Sequence, residues 1–134
     1  MAEPAIPTGE PAADADLDAV LHAARDYEHA LAAGDGAGAF AYFDTAPDTS
    51  RFGPDGDQLD REAVARMRAT APATAPAEWH HESARPLGPD HVLHLALLER
   101  GGATIQRTQV WHRTADGWRI AHAHVSALRP KDAG

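Results

Sequence analysis

The chain has no cysteine, and Lys131 is the only lysine among its 134 residues. Without cysteine there is no disulfide, no thiolate nucleophile and no sulfur-ligated zinc site. No apolar run is long enough to cross a bilayer, and no charged n-region precedes an apolar h-region, so we expect neither a membrane span nor a signal peptide. We therefore expect a cytoplasmic protein, and the bias toward Ala, Arg, Asp, Pro and Gly is typical of a GC-rich bacterial genome.

Positive charge is also scarce. The net charge is -8, which argues against binding to nucleic acid or to an anionic membrane surface, because both need a basic patch. Since every cation except Lys131 is arginine, an anionic ligand must be held by a few specific guanidinium groups.

The length and the 43% apolar fraction are typical of one domain with its own core. Residues 1–15 are rich in Pro, Ala and acidic side chains, and we interpret them as a disordered leader. The domain is expected over residues 16–128, followed by a loose tail at 129–134.

Three helices are predicted ahead of the strands. Apolar residues from Leu17 to Leu31 recur at helical spacing, with Asp16 as the expected N-cap and Gly34 as the stop. Further helices are expected at 37–43 and 60–69, the latter capped by Asp60, with a short extended piece at 49–52 and a linker loop at 71–77.

Four antiparallel strands are then predicted at 78–85, 91–100, 103–113 and 118–128, with turns at Gly101-Gly102 and Asp116-Gly117. Helices first and a strand meander afterwards predict an α+β fold, with the helices packed on one face of the sheet.

Strand parity predicts two different faces. If Arg100 pairs with Ala103 and Arg113 with Trp118, Gln109 faces His122 and Arg107 faces His124. One face then collects polar side chains among large apolar ones, which predicts a small-molecule pocket, although a structural hydrogen-bond network is the alternative. The other face is also largely apolar, so we expect a second copy of the chain to cover it in a homodimer; its residues are Leu93, Leu95, Leu97, Thr108, Val110, Ala121, Ala123 and Val125.

Several segments resemble the nuclear transport factor 2-like superfamily, which includes SnoaL-like proteins and ketosteroid isomerases. They are Arg107-Thr-Gln-Val-Trp-His-Arg, Asp116-Gly-Trp-Arg-Ile and His122-Ala-His-Val-Ser126. Within it the chain is most similar to AtzH-like proteins, through Tyr27-Glu28 and Arg51-Phe52-Gly53, and to the association domain of calcium/calmodulin-dependent kinases. The resemblance implies a cone-shaped curved antiparallel sheet backed by three N-terminal helices, and a homodimer through the convex face.

The AtzH-like resemblance also implies that Tyr27 and Arg51 are the functional pair. Arg51 is a candidate clamp for a carboxylate or polarised carbonyl, or else the partner of a surface aspartate at Asp44 or Asp48. Tyr27 is a candidate proton donor or an ordinary core tyrosine. The kinase domains carry pocket arginines where this chain has Leu98 and Gln109, which implies a different ligand.

Histidine supplies the remaining candidates. His122 and His124, with His94 nearby, fit acid–base chemistry, a metal site or a structural role. The run Trp79-His80-His81-Glu82 is a weak metal motif, because neighbouring strand residues point to opposite faces.

We therefore predict a cofactor-independent, metal-free pocket enzyme acting by acid–base chemistry on a small carbonyl or amide compound. The predicted catalytic residues are Tyr27, Arg51 and His124, and the predicted substrate-binding residues are His94, Arg107, Gln109, Trp111 and His122. The alternative is a non-catalytic dimeric or oligomeric assembly module.

Overall fold

The computed structural model describes residues 9–128, which form three helices and a six-stranded sheet. The helices are α1 (Asp14–Ala32), α2 (Gly36–Phe40) and α3 (Arg61–Thr70). The strands are β1 (Ser50–Gly53), β2 (Gly56–Gln58), β3 (Glu78–Pro86), β4 (His91–Arg100), β5 (Ala103–Thr114) and β6 (Gly117–Leu128). Most of the proposed leader and all of the proposed tail lie outside the described residues, and no helix within 9–128 is long and apolar enough to cross a membrane.

The helices begin where a side chain can accept a free backbone N–H. The Asp60 carboxylate accepts from the Ala63 amide at 2.8 Å and caps α3 as predicted. Helix α1 has Ala13 instead of Asp16 at its N-cap position and so begins three residues before the predicted start; Asp16 lies inside its first turn and accepts from the Ala13 amide at 3.0 Å. Helix α2 is also shifted toward the N-terminus and ends at Phe40 instead of residue 43.

The sheet has the strand order β2-β1-β6-β5-β4-β3. The four long strands lie within one residue of the predicted bounds, and the register of β4 with β5 agrees with the prediction, from Arg100 opposite Ala103 to Val92 opposite Trp111. Gly101 and Gly102 adopt positive φ values of 56° and 81°, which a two-residue hairpin turn requires. The short strand β1, which lies between α2 and α3 in the chain, joins the far edge of these antiparallel strands in parallel to β6, and β2 extends that edge, so the six-stranded sheet is mixed.

A β-bulge in β6 changes which residues share a face. Val110 pairs with His122 and Trp111 with Ile120, so Ala121 is an extra residue in β6. Gln109 consequently lies opposite Ala123, and Arg107 opposite Val125. The predicted pairings of Gln109 with His122 and of Arg107 with His124 are therefore wrong, since one inserted residue inverts the parity of everything that follows it.

The helices cover one face of the sheet, which we call the inner face. The main core lies there, where Val20 and Tyr27 of α1 pack against Trp111 and Ile120 of the sheet, all of them at most 2% exposed. The opposite, outer face carries Leu95 and Leu97, which are 36% and 39% exposed. The predicted residues of β4 and β5 on this face, among them Leu93 and Val110, do lie there, whereas Ala123 and Val125 of β6, predicted on the same face, lie on the inner face.

Candidate active site

A cavity of about 680 Å³ lies between the inner face, the helices α1 and α3, and the β1–β2 edge. This volume is within the range that binds small molecules. Ile105, Ala123 and Val125 of the sheet contribute its apolar wall. Its polar lining includes Tyr27, Arg51, Arg68, Arg100, Arg107 and Gln109.

Four arginines line this cavity, but within residues 9–128 they share one hydrogen-bonded carboxylate, that of Glu28. Arg100 Nη2 donates to both oxygens of Glu28 at 2.7 Å, and Arg107 Nη1 donates to Oε1. Glu28 is 3% exposed and Arg107 5% exposed, so this is a buried ion cluster with excess positive charge. Nε of Arg100 and both Nε and Nη2 of Arg107 have no hydrogen-bond partner among the described residues.

Tyr27 lies between two further guanidinium contacts. Arg68 Nη2 donates to the Tyr27 hydroxyl oxygen, and the central carbons of Arg68 and Arg107 lie 5.4 and 5.6 Å from the Tyr27 ring centroid. Because Arg68 supplies the proton of that bond, the phenolic hydrogen of Tyr27 is free to be donated elsewhere. Tyr27 is thus both a core residue, packed edge-on against Phe43, and part of the cavity wall.

Arg51 is the pocket arginine with a neutral side-chain partner on the neighbouring strand. Its Nη1 donates to Gln58 Oε1 at 3.1 Å, and the proposed ion pair with Asp44 does not form, because that carboxylate binds His112 Nδ1 at 2.8 Å. Burial, together with the nearby Arg68, lowers the pKa of Arg51 below its ordinary value. An anion bound beside Arg51 would relieve this unfavourable environment.

The Arg51-Phe52-Gly53 segment has a steric explanation. A Cβ atom on Gly53 would lie 2.4 Å from Nη1 of Arg51, so the missing side chain makes room for the guanidinium to fold back along its own strand. Glycine at this position therefore sets where the Arg51 head group lies.

Four of the predicted site residues line the cavity together: Tyr27, Arg51, Arg107 and Gln109. His94 and Trp111 are fully buried on the inner face beside the cavity and do not line it. His122 and His124 lie on the outer face, where both rings contact Phe52 edge-on. The prediction that these two histidines share the pocket face is wrong, and its cause is the bulge at Ala121.

His94 is hydrogen-bonded to the carboxylate of Glu82 on the neighbouring strand. Its Nε2 lies 2.8 Å from Glu82 Oε2, and Glu82 also accepts from Arg25 at 2.8 Å. Burial lowers the pKa of His94, although the bond to Glu82 opposes this. We therefore interpret His94 as a neutral, structural histidine that links β4 to β3.

Sequence reasoning did not single out Glu28, Arg68 and Arg100. Glu28 and Arg68 are on helices, where a charged side chain in an Ala-rich segment ordinarily indicates a solvated face. A signal was present for both: Glu28 falls on the apolar stripe of α1 beside Tyr27, and Arg68 follows Val64 at a spacing of four, which puts both on one helix face.

One group of side chains within residues 9–128 brings together three potential metal ligands, namely Glu78, His80 and Glu99. All three are exposed, His80 Nε2 already contacts Glu99 at 3.1 Å, and none lines the cavity. Among the described residues that line the cavity, Asp55 is the one with a carboxylate, imidazole or thiol side chain. One such residue is not enough to form a metal site.

Tyr27 of α1 and Arg51 of β1 therefore both line the cavity. Residues 10–131 of the chain match the AtzH-like family model. The chain belongs to the AtzH-like family. The match covers the whole sheet and all three helices.

Solved structures show the same fold. A cystatin-like fold protein from Burkholderia xenovorans LB400 is 26% identical, with a TM-score of 0.79 over 88% of this chain and 95% of that one. A DUF3225-family protein of unknown function from Pectobacterium atrosepticum SCRI1043 is 25% identical, with a TM-score of 0.78 over 87% and 93%. A ketosteroid isomerase-like protein from Erwinia carotovora atroseptica SCRI1043 is 16% identical, with a TM-score of 0.73 over 88% and 100%, which shows the fold alone. No curated protein matches the chain.

Proposed function

We propose that this AtzH-like protein binds a small molecule carrying a carboxylate or carbonyl group and acts on it by acid–base chemistry without a cofactor. The observation that carries the proposal is the surplus of guanidinium over carboxylate groups around the cavity: four arginines line it, and Glu28 pairs with two of them. A buried guanidinium favours a bound anion, which it can hold through two parallel hydrogen bonds.

The two AtzH-like residues receive separate roles. Arg51, whose side-chain partner Gln58 is neutral, holds and polarises the ligand oxygen. Tyr27, whose oxygen accepts from Arg68, gives its own proton to the ligand or takes one from it. Isomerisation, cyclisation, dehydration and hydrolysis all require such a transfer, and the name of the ketosteroid isomerase-like neighbour is compatible with this class of chemistry on the same fold.

A thermal-shift screen tests the binding role. The panel contains small carboxylates, amides, ureido compounds and cyclic ketones, and the proteins are wild type, Arg51→Ala and the control Arg66→Ala, whose side chain is 68% exposed on α3. A ligand present at about 100 times its dissociation constant adds about 2.7 kcal/mol, or about 10 °C in Tm for a domain of this size. We expect this shift in wild type and Arg66→Ala and its loss in Arg51→Ala. A shift that survives in Arg51→Ala would remove Arg51 from the site.

A turnover assay with the compound that binds then tests Tyr27. Tyr27→Phe keeps the ring that packs on Phe43 but removes the hydroxyl, so we expect retained binding and a loss of about 10²–10⁴-fold in kcat. An unchanged kcat would show that Tyr27 is a wall residue and not an acid–base group.

A second proposal concerns assembly, and the exposed apolar side chains of the outer face favour it. Leu95, Leu97 and Phe52 are each between 36% and 39% exposed, and they lie on strands of one sheet face. We propose that a second copy covers this face in a homodimer. Native mass spectrometry should show twice the 14.2 kDa chain mass for wild type and a single chain for Leu97→Asp.

Leu59→Asp is the matched control for the dimer, because Leu59 is 72% exposed outside the sheet and its replacement should leave the dimer intact. A monomeric wild type would contradict the proposal. A larger oligomer, combined with no ligand shift in the screen, would favour the non-catalytic assembly module over the enzyme.

A further inference from the structure

The orientation of the Gln109 side-chain amide is fixed by its neighbour Trp111. The indole Nε1 of Trp111 lies 3.0 Å from Oε1 of Gln109. An indole N–H can only donate, so the atom facing it must be the amide oxygen. The amide nitrogen, with its two hydrogens, is thereby committed to the other direction.

That nitrogen is a buried donor without an acceptor. Gln109 is 1% exposed, it lines the cavity, and its Nε2 has no hydrogen-bond partner among residues 9–128. Nearly all buried polar groups in native proteins are hydrogen-bonded, and an exception calls for an explanation. His94 lies directly across on β4 with Nδ1 also unpartnered, but the two side chains form no hydrogen bond with each other.

The sheet places Gln109 and Arg51 on either side of the small residue Ala123. Arg51 pairs with Ala123, and Ala123 pairs with Gln109, so the three residues form one row across β1, β6 and β5. With adjacent strands about 4.8 Å apart, Arg51 and Gln109 stand roughly 10 Å from each other at the backbone, separated by one methyl group. A small molecule lying on Ala123 can therefore be contacted by both long side chains, one at each end.

We propose that Gln109, held by Trp111, selects ligands that present an acceptor oxygen without a proton, such as a ketone, amide or carboxylate oxygen, at the end opposite to the group bound by Arg51. The role rests on the proposed function, because it requires an anion at Arg51. A ligand with only hydrogen-bond donors at that end would place them against the donor hydrogens of the Gln109 amide and would bind weakly. Arg107, two residues away on the same strand and with Nε and Nη2 unpartnered, adds to this preference for an acceptor.

Three probes of equal chain length separate this selection from carboxylate binding. Pentanoate, levulinate (4-oxopentanoate) and 4-aminobutyrate each carry one carboxylate, and the opposite part of each molecule is apolar, a ketone and an ammonium group, respectively. Calorimetric titration of wild type should give levulinate a dissociation constant about tenfold below that of pentanoate, since a buried hydrogen bond is worth about one factor of ten. 4-Aminobutyrate should bind more weakly than pentanoate.

Three variants test the mechanism of selection. Gln109→Glu keeps the shape and the acceptor for the Trp111 indole but replaces the donor, so levulinate should lose its advantage and 4-aminobutyrate should become the tightest probe. Gln109→Leu should bind levulinate and pentanoate equally. Trp111→Phe removes the indole N–H that orients the Gln109 amide, so the amide can rotate by 180°. The dissociation constants of levulinate and 4-aminobutyrate should then become more similar.

The outcomes separate this inference from the proposed function. If carboxylates bind through Arg51 but levulinate and pentanoate have equal dissociation constants, or their ratio is unchanged in Gln109→Leu, the selector role is overturned and the proposed anion pocket stands. Failure of all three probes to bind, or equal binding by Arg51→Ala, would overturn the proposed function and the selector role with it. Circular dichroism of each variant confirms that the comparison is made on folded protein.

Discussion

Replacing Glu28 with Gln tests the charge balance of the pocket directly. The Glu28 carboxylate is buried between Arg100, which donates to both of its oxygens at 2.7 Å, and Arg107. Glutamine has nearly the same shape but is neutral, and its amide nitrogen would face a guanidinium. Breaking a buried ion pair by removing one partner costs about 3–5 kcal/mol, because the remaining charge is left uncompensated.

This loss converts to a large change in Tm. The entropy of unfolding is about 2.1 cal/mol/K per residue, which gives about 0.28 kcal/mol/K for 134 residues. The expected loss of 3–5 kcal/mol therefore corresponds to a fall of about 11–18 °C in the Tm of Glu28→Gln. Thermal unfolding followed by circular dichroism measures it.

The matched control is Glu62→Gln on α3. Glu62 is also paired with an arginine, Arg66 at 3.2 Å, but its side chain is 84% exposed. A surface pair of this kind contributes little, so we expect a change of no more than about 2 °C. If Glu28→Gln shifted Tm no more than the control does, the buried cluster would not hold the pocket together, and the reasoning from its charge would fail.

Three further predictions follow from single contacts. Burial lowers the pKa of His94, so below about pH 6.5 this histidine binds a proton more readily in the unfolded chain than in the folded one, and stability falls as the pH falls. Tm should therefore decrease between pH 7 and pH 5 less steeply in His94→Gln than in wild type. An equal dependence of Tm on pH in the two proteins would contradict this. Gly53→Ala should displace the Arg51 guanidinium and weaken carboxylate binding in titrations without lowering Tm; unchanged binding would show that the head group has room. Asp60→Ala removes the acceptor for the Ala63 amide and should lower Tm by about 4 °C, the equivalent of about 1 kcal/mol, whereas no loss would mean that α3 begins without this cap.

Much of the sheet could be predicted because short turns fix its register. Gly101-Gly102 sets the pairing of β4 with β5, and that pairing puts Arg107 and Gln109 on the inner face. The phase of β6 could not be predicted, since Ala121-His122-Ala123-His124 alternates equally well in either phase. The pattern shows that alanines and histidines take opposite faces, but the bulge at Ala121 decides which face is which.

The pocket residues on helices were harder to predict from the sequence than those on strands. Strand parity assigns a side chain to one of two faces, whereas a helix offers a continuum of directions. Arg68 of α3 lines the cavity and Glu28 of α1 pairs with two of its arginines because packing fixes the rotation of each helix. Tyr27 and Arg51 were identified mainly through the AtzH-like resemblance.

The parallel pairing of β1 with β6 has a consequence for how the protein is made. Ser50 Oγ lies 2.8 Å from His122 Nδ1, and these two residues are 72 positions apart in the chain. Contacts between such distant residues form late in folding, after shorter loops have closed. On the ribosome, the strand that carries Arg51 can pair with β2 but has no edge of the long-stranded sheet to join until β6 has emerged, so the wall of the cavity is completed only when β6 is made.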